Sequence, residues 1–164
     1  HYHIARAPRS VIYSMNYGHL GTGLPYSLGA KLACPEKPVY CVTGDSAFGF
    51  NLQELETAVR NDLPVIILVA VDGAYGMEKS AQQRQFGREA PWFGHDHAPV
   101  RYDQVAIAMG CHGEFVETVA ELRPALERSA AAGKPAVIHV VVDPDANVDP
   151  PGNWLWAAAR SGKM

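Results

Sequence analysis

The chain has 164 residues, 48% hydrophobic and 19% charged, with a net charge of −3. That length builds one domain with a real core and is too short for two comfortable ones. Without a basic excess there is no reason to expect a nucleic-acid partner, and no run approaches the ~18 uninterrupted apolar residues of a membrane span.

No signal peptide opens the chain either, so no membrane association is expected. Cys34, Cys41 and Cys111 are odd in number and form no CxxC pair. This argues against a disulfide framework or a zinc site and for a reducing, cytoplasmic setting. The opening "HYHIARAPRS" lacks an initiator Met and reads as the tail of a helix running into a loop, as expected of a fragment or processed chain.

In chain order, "VIYSM" (11–15) has the content of a short strand, and glycine-rich "NYGHLGTGLP" follows it. Residues 26–33 read as a helix stopped by Pro35 and Pro38. "VYCVT" (39–43) is a buried strand running into Gly44. Over 51–61, Leu52, Leu55, Ala58 and Val59 fall at helical spacing, with Asn51 as the cap. "PVIILVAV" (64–71) is apolar on both faces, as a central parallel strand must be. Residues 78–101 predict a short helix and then a long loop. A helix over 102–110, a strand over 113–117, a helix over 119–133 and a strand over 136–143 complete the pattern.

Strands separated by single helices require right-handed crossovers. The fold class is therefore α/β, a doubly wound parallel sheet with helices on both faces. Residues 1–147 form the domain. Prolines then lead residues 148–164 away from the sheet as a tail or lid.

Ligands of such sheets bind where strand ends lead into helix N-termini. Asp45 ends one apolar run and Asp72 the central one, 27 positions later. Gly44, Ser46 and Ala47 flank the first; Gly73, Ala74 and Gly76 follow the second. These small residues let the backbone approach a ligand and offer N–H groups to an anion. Two carboxylates with backbone oxygens make a hard-oxygen set suited to Mg²⁺ and a phosphate-bearing ligand. The pair points to a metal-bridged diphosphate, although either Asp alone reads equally as a helix cap.

Gly44-Asp45-Ser46, 24 intervening residues and Val71-Asp72 resemble the thiamine diphosphate signature, in which GDG and NN stand a similar span apart. "LQELETAVRNDLPV" between them and "GHLGTGLPYSLGAKLA" (18–33) before them are similar to acetolactate-synthase-like enzymes. Ser46 departs from the second Gly, and Val71 and Asp72 depart from the two Asn. The resemblance implies the pyrophosphate domain of the thiamine diphosphate-binding fold, N-terminally incomplete and lacking its first strand and helix.

The resemblance also implies cofactors, thiamine diphosphate and Mg²⁺, and site residues. Asp45, the Asp72 side chain and the Ala74 carbonyl would hold Mg²⁺. N–H groups of Ser46, Ala47 and the Tyr75–Gly76–Met77 turn would hold the diphosphate. Leu20 would support the bent cofactor, the Gly18 carbonyl would accept from its 4′-amino group, and His19 lies beside them. In that family the activating glutamate comes from a separate pyrimidine-binding domain. The implied partners are thus pyrimidine-binding and middle domains of the same enzyme, in a homodimer or homotetramer, and this polypeptide alone is not expected to turn over substrate.

Within the superfamily, "GDSAFGF" is similar to 2-hydroxyacyl-CoA lyases and oxalyl-CoA decarboxylases, and "NWLWAAARSGKM" to the finish of the lyases. "GAYGMEKSAQQRQFG" instead resembles the acetolactate synthase group. The favoured reading is a lyase acting on an acyl-CoA substrate. It cleaves 2-hydroxyacyl-CoA to formyl-CoA and an aldehyde or ketone, and runs the reverse acyloin condensation. A synthase-like carboligase, an oxalyl-CoA decarboxylase and a non-catalytic subunit are the alternatives.

Glu78 is the candidate base for the 2-hydroxyl proton, or else a first-turn glutamate favoured by the helix dipole. His95 and His97 in "GHDHAP" read as a solvated loop. Trp154, Leu155 and Trp156 gather more apolar surface than a free terminus should expose. The tail is accordingly a lid over the acyl-CoA entrance, or packing against a neighbouring domain.

Overall fold

The computed structural model describes residues 5, 7–13, 18–87, 89, 91 and 94–147. Helices and strands alternate among them: α1 (Gly23–Ala33), β1 (Val39–Gly44), α2 (Asp45–Gly49), α3 (Glu54–Arg60), β2 (Val65–Val71), α4 (Gly76–Phe86), α5 (Tyr102–Ala108), β3 (His112–Val116), α6 (Val119–Ala131) and β4 (Ala136–Val141). The four strands are parallel and ordered β1-β2-β4-β3.

The sheet carries helices on both faces, as the alternation of elements requires. β2 is central because both its faces are apolar. Val65, Ile67 and Val69 meet Leu24 and Leu28 of α1, Leu55 and Ala58 of α3, and Ala106 of α5 in one core. On the other face Ile66 joins Val116, Ile138 and Ala125 of α6. Glu121 opens α6 with a carboxylate that accepts the Glu117 and Thr118 N–H groups, each at 3.0 Å, a reciprocal cap that satisfies donors at the helix start. On β1, the face turned away from the first core leaves Tyr40 54% and Val42 78% exposed.

Two expectations fail for stated reasons. Residues 11–13 form no strand, and Val11, Ile12 and Tyr13 are exposed; residues 14 and 15 lie outside the described residues. Strand propensity needs a neighbouring strand and a buried face to take effect. The helix expected over 51–61 is α3 alone, preceded by the separate α2 and a turn over 50–53. Asn51 does not cap it. Its amide donates instead to the Gly21 carbonyl at 3.0 Å and fastens the 18–22 loop to that turn. Gly21 has φ +87°, and a Cβ there would lie 2.7 Å from Phe50 Cβ, so only glycine fits between the two segments.

Among the described residues, no helix is long and apolar enough to cross a membrane. All three cysteines are free. Burial pushes the Cys41 and Cys111 thiols up to about 11, so neither is a nucleophile near neutral pH. The tail expected over 148–164 lies outside the described residues.

Candidate functional site

The register that pairs Gly44 with Ala70 brings Asp45 and Asp72 to the carboxyl ends of adjacent strands. Asp45 is buried, 2% exposed. Its Oδ1 accepts the Ser46 N–H at 2.8 Å and its Oδ2 accepts the Gly73 N–H at 2.9 Å. The carboxylate thus ties the end of β1 to the loop after β2. Asp72 Oδ1 accepts the Ala74 N–H at 3.1 Å. Its Oδ2 lies where a Cβ on Gly76 would overlap it, so this approach requires glycine at the start of α4.

Burial holds the Asp45 carboxyl above the usual range; the Ser46 and Gly73 N–H groups oppose the shift and the Asp72 charge adds to it. Among the described residues no Lys or Arg ion pair reaches Asp45 or Asp72. Two carboxylates within electrostatic reach and without a side-chain cation make a set that a divalent ion neutralises.

A third segment closes over this loop. Tyr75 N–H donates to the His95 carbonyl at 2.8 Å and His97 N–H to the Gly73 carbonyl at 2.7 Å, an antiparallel bridge that pairs Ala74 with Asp96. His97 Nε2 lies 2.8 Å from Ser46 Oγ, which is also 2.8 Å from the Ala74 carbonyl. The His97 ring packs edgewise on Tyr75 with centroids 4.8 Å apart.

Two cavities meet here. The first, about 390 Å³, is lined by Asp45, Ser46, Phe50, Tyr75, His97 and Tyr102. The second, about 360 Å³, shares Asp45 and His97 and has apolar walls from Val71, Val141 and Phe115. His139, 4% exposed, also lines it. Its Nδ1 accepts the Tyr102 N–H at 3.3 Å, and burial holds the imidazole below its ordinary value against the pull of Asp103. The neutral ring therefore carries its proton on Nε2.

The family model described as "Thiamine pyrophosphate enzyme, C-terminal TPP binding domain" matches residues 1–140. The chain belongs to this family. This TPP-binding domain is 43% identical over 128 residues to a probable acetolactate synthase of Mycobacterium bovis, covering 78% of this chain and 23% of that protein. It is 35% identical over 168 residues to a 2-hydroxyacyl-CoA lyase of Oryza sativa, covering 98% and 26%. Among solved structures, the Rhodococcus jostii RHA1 thiamine diphosphate-dependent 4-hydroxybenzoylformate decarboxylase matches with a TM-score of 0.69 and 29% identity, over 76% of this chain and 23% of that one. The chain spans about a quarter of the length of these curated relatives. The cofactor of the TPP-binding domain is thiamine diphosphate, whose usual partner at the diphosphate is Mg²⁺.

The donor set of the TPP-binding domain fits that ion. Asp45, Asp72 and the Ala74 carbonyl offer only hard oxygens, and all three belong to the hydrogen-bonded strand-end cluster. Gly44, Ser46, Ala47, Tyr75 and Gly76 stand around them on β1, α2 and the start of α4. The Ser46 and Tyr75 N–H groups, expected to be free for an anion, donate here to Asp45 and to the His95 carbonyl. Gly18, His19 and Leu20 lie in the loop before α1. Leu20 is 46% exposed and is not a core leucine. Met77 and Glu78 are exposed on the first turn of α4, and neither lines the two cavities.

His97 overturns the solvated-loop reading of "GHDHAP". It is half-buried and joins Ser46, 51 positions away, so no local pattern could have marked it. His139 did leave a signal, as the one polar residue in "AVIHVVV", in the interior of a buried strand.

Proposed function

We propose that the chain is the cofactor-binding part of a thiamine-diphosphate-dependent 2-hydroxyacyl-CoA lyase, cleaving its substrate to formyl-CoA and an aldehyde or ketone and catalysing the reverse condensation. The observation that carries the reading is the cluster of Asp45, Asp72 and the Ala74 carbonyl at adjacent strand ends, with Asp45 lining both neighbouring cavities. The choice of lyase is supported by a likeness to the rice lyase that covers 98% of this chain and so takes in most of the tail. The 43% identity to the mycobacterial synthase supports a carboligase as the second reading.

Asp45, Asp72 and the Ala74 carbonyl hold Mg²⁺. Backbone N–H groups of Ala47, Gly76 and Met77 take the diphosphate, favoured by the N-terminal end of α4, while those of Ser46 and Tyr75 hold the loops around it. Gly18, His19 and Leu20 position the ring end. When bound, thiamine diphosphate supplies a nucleophilic carbon that can keep the electron pair of the broken C–C bond. Val71, Val141 and Phe115 keep water from the reacting atoms. Glu78, exposed on α4 and outside both cavities of this domain, is the proposed base for the 2-hydroxyl proton once the other domains complete the site. Residues 1–147 are the pyrophosphate domain and 148–164 its lid. Pyrimidine-binding and middle domains complete the site in a cytoplasmic homo-oligomer.

The test supplies the purified enzyme that contains this chain with thiamine diphosphate, Mg²⁺ and a 2-hydroxyacyl-CoA. Formyl-CoA and a carbonyl product are expected; acetolactate from pyruvate, without formyl-CoA, would establish the carboligase instead. Glu78→Gln should keep cofactor affinity and lose cleavage by roughly 10²-fold. Unchanged turnover would return Glu78 to the role of a surface helix residue.

A further inference from the structure

We infer that His97 is a positioning residue for the metal–diphosphate site, its Nε2–H holding the Ser46 hydroxyl so that this hydroxyl fixes the Ala74 carbonyl. The inference rests on the cofactor-site reading above. A serine hydroxyl has one proton and a carbonyl can only accept. Ser46 Oγ lies 2.8 Å from the Ala74 oxygen, so its proton goes there. The second 2.8 Å contact then needs a donor, and the atom facing Oγ is His97 Nε2. The imidazole consequently carries its proton on Nε2.

His97 cannot readily leave this place. Its own N–H is bonded to the Gly73 carbonyl, the Tyr75 N–H is bonded to the His95 carbonyl, and its ring packs on Tyr75. Three consecutive residues, Gly73 to Tyr75, are thereby held from the 94–98 segment, one of them through Ser46. One lone pair of the Ala74 carbonyl accepts from Ser46, and the other stays available to a cation. Removing the His97 donor frees the Ser46 rotor and loosens that carbonyl. The cost of ordering it then falls on binding rather than on folding.

The experiment measures Mg²⁺-dependent thiamine diphosphate affinity by calorimetry on the enzyme that contains this chain. His97→Phe keeps a ring against Tyr75 but has no donor, and should weaken affinity about 10- to 100-fold, the range for groups that orient a metal ligand. His97→Gln sets an amide N–H where Nε2 was and should stay within about threefold of the parent, as a restored donor requires. In a Ser46→Ala background, His97→Phe should have no further effect, because the two act as one unit.

Parent-like affinity in His97→Phe overturns the inference. So does a His97→Gln variant as weak as His97→Phe, or additivity with Ser46→Ala. Asp45→Ala is the separate control: if it binds cofactor normally, the site reading itself fails, whatever His97 does.

Discussion

The two oxygens of Asp45 accept backbone N–H groups from Ser46 on α2 and from Gly73 in the loop after β2, and this decides what its removal does. Asp45→Ala deletes a proposed metal ligand together with the tie between β1 and the loop after β2. It should abolish thiamine diphosphate binding and lower stability by about 1–3 kcal/mol through the unsatisfied donors. Asp72→Asn should keep affinity, since an amide oxygen can still accept the Ala74 N–H. Titrations with and without Mg²⁺ check both, and a non-binding Asp72→Asn would mean that the second motif is assigned to the wrong residue.

A second carboxylate at this scale supports the cavity wall. Burial alone would raise Asp103, but Arg101, at 2.8 and 2.7 Å, and the Gln104 amide at 2.9 Å hold it below its ordinary value. A depressed carboxyl contributes stability that is present above its unfolded value near ~3.9 and is lost as pH falls through the folded value. Arg101→Met should lower stability at neutral pH, by less than the loss of a fully buried pair because Arg101 is half exposed. The deficit should shrink as pH falls through the lowered folded value of Asp103, below which the carboxyl is protonated in both proteins. Urea melts at neutral and acid pH measure this, and a deficit independent of pH would assign the loss to the Arg101 guanidinium stacked on Phe115 instead.

Among the elements, α4 depends most on its neighbours. It has no buried residue, and Met77 and Phe86 are 77% and 61% exposed. Its first residue, Gly76, is set by contact with the Asp72 carboxylate and not by helix preference. Gly76→Ala should gain helix propensity of up to about 1 kcal/mol yet push Asp72 aside, weakening Mg²⁺-dependent cofactor affinity by about tenfold or more. Melting and binding measured together check this, and a variant with full affinity would show that Asp72 yields at no cost. Hydrophobic period made the helix faces legible, and Leu55 and Ala58 are both fully buried as their spacing requires. The break between α2 and α3 was not legible, because it depends on Asn51 bonding to Gly21 in a distant loop.

At the scale of the whole molecule, Tyr40 and Val42 on β1 leave an uncovered apolar strip on the sheet, in keeping with a domain that works beside others. Deleting residues 153–164 tests the proposed lid. It should weaken acyl-CoA binding and leak the reactive intermediate to water while cofactor affinity and melting temperature hold. A general fall in melting temperature with unchanged substrate affinity would leave those residues a packing role only.

By itself the sequence determined the α/β class, the central position of "PVIILVAV" and the strand-end places of Asp45 and Asp72. These follow from local apolar period and from where each run stops. Tertiary structure decided what depends on contacts between distant residues. β4 enters between β2 and β3 because its two apolar faces need cover on both sides, giving the order β1-β2-β4-β3. Residues 11–13 stay unpaired although their composition suits a strand. Asp45 reaches Gly73, and His97 reaches Ser46, only once the loops after β1 and β2 and the 94–98 segment are packed together. A hydrogen bond between residues 51 positions apart has no period to announce it. It exists because a folded chain must find partners for buried polar groups wherever the backbone brings them within reach.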